Sequence, residues 1–168
     1  MADVLTKEQR HKCMSNIKGK DTKPEIIVRK FLFSKGLRFR IHRKDLSGNP
    51  DLVLPKYKTV IFINGCFWHG HDNCKYFRLP KSNIEFWKTK INRNKERDIL
   101  NIAKLTEQGW RVLRVWECEI RNLSFRQKSL DALYDLIVKP DVPPQYSEGE
   151  CPRYSMVAET ETPYSSNE

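Results

Sequence analysis

An α/β fold is predicted for this chain by three observations. Segments with helical periodicity alternate along it with short apolar runs of strand length. One of those runs, Thr59-Val60-Ile61-Phe62-Ile63, is apolar at nearly every position, as in a central strand covered on both faces. The 168 residues show no internal repeat and suffice for one domain with a sizeable core.

The elements follow in chain order. Thr6-Lys7-Glu8-Gln9 has capping-box spacing and opens a short basic helix reaching about Ile17. Thr22-Lys23-Pro24-Glu25 repeats that spacing, and Ile27, Val28, Phe31 and Leu32 supply an apolar helix face until Gly36 ends it. Leu37, Phe39 and Ile41 alternate with basic residues and predict a half-buried strand. Ser47-Gly48-Asn49-Pro50 is turn chemistry that delivers the chain into a short strand, Asp51-Leu52-Val53-Leu54. Pro55-Lys56-Tyr57-Lys58 then turns it back into the central strand, so Asp51 and the segment from Asn64 fall at related ends of neighbouring strands. A long helix from about Asn83 to Gln108, closed by Gly109, a strand from Trp110 to Trp116 and a helix from Leu123 to Val138 complete the pattern.

Charge divides the chain into three parts. The formal net charge is +10, yet from Lys139 onward six acids face two bases, so residues 1–138 carry +14. Residues 1–20 read as a basic arm, 21–138 as the folded domain, and 139–168, rich in Pro, Ser, Thr and Glu, as an acidic and disordered tail. A polyanionic partner is implied, with nucleic acid ahead of an anionic membrane because no amphipathic lipid-binding motif is present. Five cysteines at unequal spacing without an N-terminal apolar leader argue against a disulfide framework and for a cytoplasmic protein. No apolar run approaches the length of a membrane-spanning helix.

The chemistry concentrates in Asn64-Gly65-Cys66-Phe67-Trp68-His69-Gly70-His71-Asp72-Asn73-Cys74. Cys66, His69, His71 and Cys74, with Cys118 further on, are the donor types that tetrahedral zinc selects. Four of these five close one site, which leaves one over, and a surplus imidazole is free for acid-base work. Cys13 and Cys151 lie in the arm and the tail, away from this cluster.

Three carboxylates stand out. Asp51 follows a Pro turn and begins a strand, which is either an ordinary turn acid or a metal ligand. A helix bearing Glu25, then Pro-Asp, then an apolar strand is the order of the PD-(D/E)xK nucleases, although the (D/E)xK signature is absent after Phe62. Glu25 also suits the third position of a capping box. Asp98 falls on the stripe of Trp87, Ile91, Ile102 and Leu105, so it faces inward and requires a partner, Arg in the bland case and His69 in the functional one. Phe67, Trp68, Phe86 and Trp87 suit a core, but a metal-clamped loop seldom buries two adjacent rings. Exposed rings on a basic protein suit insertion between base pairs.

Taken together, Met1-Ala2-Asp3-Val4, Met14, Asp21-Thr22 with Glu25, Pro50-Asp51, Val60-Ile61-Phe62, Gly65-Cys66-Phe67-Trp68-His69 with His71 and Cys74, Glu96-Arg97-Asp98, Gly109-Trp110-Arg111-Val112-Leu113 and Trp116-Glu117-Cys118 resemble the very short patch repair (Vsr-type) DNA mismatch endonucleases. The resemblance runs from the first residue to about Asn122. It implies a three-layer α/β/α fold of the restriction-endonuclease type with a structural zinc, and Mg²⁺-dependent nicking of duplex DNA on the 5′ side of the T in a T:G mismatch left by deamination of 5-methylcytosine. By position, Asp51 and the backbone carbonyl of Ile63 resemble the Mg²⁺ ligands, His69 the catalytic imidazole, Asp98 its orienting carboxylate, and Glu25 an acid acting near the metal. Cys66, His71, Cys74 and Cys118 match the zinc ligands, Phe67, Trp68 and Trp87 the major-groove wedge, and Met14 the residue inserted by the arm.

Two departures accompany the match. Position 64 is Asn where a His can stand in the family, so a second imidazole is lacking, and Asp72-Asn73 makes the His71-to-Cys74 spacing one residue longer than in some relatives. Two other classes remain open to the sequence: a zinc-stapled module that binds distorted duplex without cutting, and a nuclease of the same fold acting on another DNA structure. Monomeric action at the bacterial nucleoid is expected, since a single lesion offers no two-fold symmetry. Contact with other mismatch-repair proteins is left open.

Overall fold

A computed structural model describes residues 6–16 and 19–139. The predicted tail and the end of the first helix at Ile17 lie outside the described residues, as does the side chain of Met14. The order is α1 (Lys7–Ser15), α2 (Lys23–Ser34), β1 (Leu52–Leu54), a single 3-10 turn (Pro55–Tyr57), β2 (Thr59–Asn64), α3 (Ile84–Glu107), β3 (Arg111–Trp116), α4 (Glu117–Arg121) and α5 (Leu123–Val138). The fold is mixed α/β, as predicted.

The three strands form one sheet in the order β1-β2-β3. β1 runs antiparallel to β2, with Leu52 opposite Ile61, and β2 runs parallel to β3, with Ile61 opposite Leu113 and Phe62 opposite Arg114. The apolar run does occupy the centre. Period-two alternation then sorts the side chains onto two faces. Leu52, Leu54, Ile61, Leu113 and Val115 meet Val28 and Leu32 of α2, Ile120 of α4, and Leu130, Leu133, Leu136 and Ile137 of α5. Val53, Val60 and Val112 on the other face meet Leu46 and the α3 residues Ile102 and Leu105. Arg111 of β3 also donates to the Leu136 carbonyl of α5.

The helix ends follow local chemistry. At α1, the Gln9 N–H donates to the Thr6 hydroxyl at 3.2 Å and the Thr6 N–H donates to the Gln9 side chain at 2.9 Å, the predicted capping box. α3 stops in a Schellman arrangement, Gly109 N–H to Thr106 carbonyl and Trp110 N–H to Leu105 carbonyl, both at 2.9 Å. Gly109 stands at φ +76° there, which a Cβ would strain.

Two expectations are corrected. Residues 37–41 do not form a strand: Arg40 alone bridges Val53, exchanging N–H···O bonds of 2.8 and 2.9 Å, and His42 at φ +55° turns the chain away. The alternation there reflects a half-buried extended edge, with Leu37 buried and Ile41 exposed. The second capping box is also different, because Thr22 makes no side-chain bond to the helix N–H groups and Glu25 binds the N–H of Asp21 instead, at 3.0 Å. The predicted β3 passes directly into α4, which the sequence pattern did not separate from its surroundings.

Leu105→Ala, which empties a fully buried position between α3 and the sheet, is expected to cost about 2–5 kcal/mol in urea unfolding. Leu100→Ala, at an exposed position of the same helix, is expected to change stability by less than about 0.5 kcal/mol.

Candidate metal and catalytic site

The segment after β2 cannot continue the sheet, because it folds into tight turns in which the His71 N–H donates to the Cys66 carbonyl at 2.9 Å and the His69 N–H to the Gly65 carbonyl at 3.2 Å. α3 holds these turns from the side. Asn94 donates to the Trp68 carbonyl at 2.9 Å, and Lys95 reaches Asp72 at 2.9 Å. Gly70 permits this approach: a Cβ there would stand 2.5 Å from Lys95 Cε and 2.7 Å from Ile91 Cγ2.

The turns bring four soft donors together. One donor atom from each of Cys66, His71, Cys74 and Cys118 lies within 4.8 Å of every other. A tetrahedral metal with bonds of about 2.3 Å sets its donors about 3.7 Å apart, so the cluster has the size and chemistry to hold one metal ion. Cys118 Sγ sits 3.4 Å from His71 Nδ1, and the His71 ring stacks on Trp116 at 3.9 Å between centroids with an interplanar angle of 2°. The Cys118 thiol lowers Cys66 to about 5, and Cys66 in turn pushes Cys118 upward. Such a cluster carries negative charge at neutral pH, which a cation offsets. His69 takes no part in it.

His69 instead faces α3, where its Nδ1 is hydrogen-bonded to Asp98 Oδ2. Of the two partners the sequence left open for an inward carboxylate on the α3 stripe, Arg and His69, this is His69. The pair borders a cleft of about 380 Å³ whose sheet side is Phe62, Asn64 and Arg114 and whose helix side includes Arg97, Asp98, Asn101 and Ile102. Asn64, which lines the cleft, is itself buried.

At the start of β1, Asp51 accepts the Ile63 N–H at 2.7 Å. Its link to Ile63 therefore runs through the amide N–H. Burial pushes the Asp51 carboxyl up to about 6; the Ile63 bond opposes this, the charge of Glu25 adds to it, and Arg29 and His69 oppose it. Glu25 is 4% exposed and fully engaged, by the Thr22 hydroxyl at 2.7 Å, the Asp21 N–H at 3.0 Å and Arg29 at 2.8 Å. The ends of α2, β1 and β2 thus gather two carboxylates and one guanidinium, with His69 close enough to act on Asp51 through charge.

The rings form a second feature beside the loop. Phe67 lies edge-on to Trp68 at 5.2 Å and to Trp87 at 5.3 Å, and Trp68 to Trp87 measures 6.1 Å. All three are partly exposed, and Phe86, expected to suit a core, is 58% exposed next to Trp87. Lys90 lies over Trp68, Phe86 and Trp87 at 5.4 to 5.7 Å.

Residues the sequence reading passed over also reach these sites. Arg29 could have been found at i+4 from Glu25, the helix spacing for an ion pair. Arg114 had a signal too, a cation inside the apolar strand Val112-Leu113-Arg114-Val115-Trp116.

Comparison with known proteins gives concordant matches. The family profile described as DNA mismatch endonuclease Vsr matches residues 2–75. The chain is similar to the type II nicking enzyme V.NmeAIP of Neisseria meningitidis serogroup A, 49% identical over 133 residues that make up 79% of this chain and 94% of that protein. It is similar to the type II nicking enzyme V.XorIIP of Xanthomonas oryzae pv. oryzae, 45% identical over 80% of this chain and 98% of the relative. The DNA mismatch endonuclease Vsr of Escherichia coli K12 is 46% identical over 78% of this chain and 81% of its own length.

Two outcomes are expected from these sites. A carboxyl raised from 3.8 to about 6 on folding costs nothing below pH 3.8 and its full penalty above pH 6, so wild-type stability falls as pH rises between the two. Asp51→Asn in divalent-free buffer should therefore raise stability at pH 8 by on the order of 3 kcal/mol, with the gain vanishing toward pH 3.8 in thermal unfolding. Cys118→Ser should lower bound metal, measured by atomic absorption, and thermal stability together.

Proposed function

The chain belongs to the Vsr family of DNA mismatch endonucleases, and from that premise we propose that it nicks one strand of duplex DNA on the 5′ side of the T in a T:G mismatch arising from deaminated 5-methylcytosine. The observation that carries this reading is the His69–Asp98 pair beside a cleft, with Asp51 and Glu25 at the adjoining strand ends. A mismatch-binding module has no use for a catalytic dyad next to buried acids. The mixed sheet with helices on both faces suits a three-layer fold of the restriction-endonuclease type.

In this reading Asp51 and the Ile63 carbonyl would hold Mg²⁺, with Glu25 as a second acid acting near the metal. The donor set is hard oxygen, as Mg²⁺ prefers. Bound there, the cation would supply positive charge against the scissile phosphate and the departing 3′ oxygen. The chain's own residues supply the proton chemistry. Asp98 accepts the Nδ1–H of His69 and fixes its tautomer, which leaves Nε2 to take the proton of the attacking water. The water oxygen bonds to phosphorus as the P–O3′ bond breaks, leaving a 5′ phosphate and a 3′ hydroxyl.

Zinc is assigned to Cys66, His71, Cys74 and Cys118, whose three sulfurs and one nitrogen match its preference and leave no open position. Its role is to brace the loop. Phe67, Trp68 and Trp87 form the wedge that unstacks the mismatched step from the major groove, and Met14 on the basic arm inserts from the other side. Residues 1–20 act as that arm, 21–138 as the nuclease domain and 139–168 as an acidic tail. We assign the protein to the bacterial cytoplasm, acting as a monomer at the nucleoid, in keeping with its bacterial relatives and basic charge. Among the described residues no helix is long and apolar enough to cross a membrane.

The test is a nick-mapping assay with Mg²⁺ on end-labelled duplexes carrying T:G or T:A at a methylation site. A single cut 5′ of the mismatched T, absent with EDTA and reduced at least about 100-fold in Asp51→Ala, is expected. Equal cutting of both duplexes would replace the mismatch reading with a general nuclease, and selective binding without a cut would replace it with a recognition module.

A further inference from the structure

Arg114 is the cation in the sheet floor of the cleft that holds the His69–Asp98 pair. It stands on β3 opposite Phe62, two residues along from Asn64's partner Trp116, so its side chain joins those of Phe62 and Asn64 on one face of the sheet. An arginine between Leu113 and Val115, both buried in the opposite core, is costly unless it finds a counter-ion. Among the described residues it has no hydrogen bond or ion pair. The Trp116 ring lies 5.6 Å from its guanidinium carbon, and the charge of Asp98 acts on it. Asp98 is already committed to His69. Arg114 lines the cleft together with Asn49, Asn101 and Arg97, whose side chains are polar or cationic as well.

We propose that Arg114 is a phosphate ligand, taking a non-bridging oxygen of a DNA backbone phosphate in this cleft with Arg97 at its rim. The inference deepens the endonuclease reading and rests on it for the identity of the anion. A planar fork of N–H donors matches two phosphate oxygens. Water exclusion by the sheet strengthens the contact relative to one made by a surface lysine. A cation fixed beside the His69–Asp98 pair would hold the phosphate within reach of water activated by Nε2 and stabilise charge that grows as the water attacks.

The experiment is a titration of the full chain with inorganic phosphate, followed by the side-chain amide NMR signals of Asn64 and Asn101, in wild type, Arg114→Met and Arg114→Lys. Wild type should shift and saturate at millimolar phosphate, the Met variant should lose the response while keeping its thermal transition, and the Lys variant should respond with weaker affinity. Lys35→Met removes the same charge on the opposite side of the sheet, where Lys35 pairs with Asp131, and should respond like wild type. On mismatched duplex the Met variant should lose roughly 100-fold in kcat/KM. An unchanged phosphate response in Arg114→Met, or none in wild type, would overturn the assignment. Wild type that binds phosphate but cuts no DNA would overturn the endonuclease reading and leave the anion site standing.

Discussion

The constraint on which the arrangement depends is the convergence of Cys66, His71 and Cys74 on Cys118. Those four donors join a loop with almost no core of its own to the junction of β3 and α4, elements anchored in both hydrophobic clusters. Three of them lie within nine residues of one another, and the fourth is more than forty residues away. A metal held by the four donors would close that long loop and remove unfolded-chain freedom. His69 sits between two of the donors, so wherever the clamp fixes the turns it also fixes His69, and Asp98 on α3 receives it.

The same clamp explains why the rings are available. Phe67 and Trp68 follow the first donor, and the turns that bring Cys66 to the cluster leave both partly exposed against Trp87. A loop of this composition without a metal would be expected to bury those rings by collapse. The fold thus separates two jobs: a soft-donor cluster gives the loop its shape, and an oxygen-rich group of Asp51, Glu25 and the Ile63 peptide lies at the strand ends. Charge at the strand ends is balanced locally, where Arg29 stands against Glu25 and Asp21.

How much of this could be read from the residues depends on how local the cause was. The central strand, the Gly-terminated long helix and the capping box at Thr6 were legible because a few neighbouring residues determine each. The surplus donor was legible as a problem, one imidazole too many, but only tertiary geometry shows His69 turned toward Asp98. The alternation at Leu37, Phe39 and Ile41 misled because a half-buried edge and a strand share the same period, and a single bridge to Val53 is all that forms. Glu25 was readable as a helix-start acid, whereas its bond to Asp21 N–H and its closeness to Asp51 depend on how α2 meets the sheet. Arg114 was visible as a charge in an apolar strand, but the cleft it lines is built from β2, β3 and α3 together.

The central claim is that one histidine of this loop braces the metal and the other does the chemistry. Its most direct test measures bound zinc and T:G nicking side by side in His69→Ala and His71→Ala. The account predicts that His69→Ala keeps one tightly held zinc per chain and loses nicking, while His71→Ala loses both. Loss of zinc in His69→Ala, or its retention in His71→Ala, would contradict the account by exchanging the two roles.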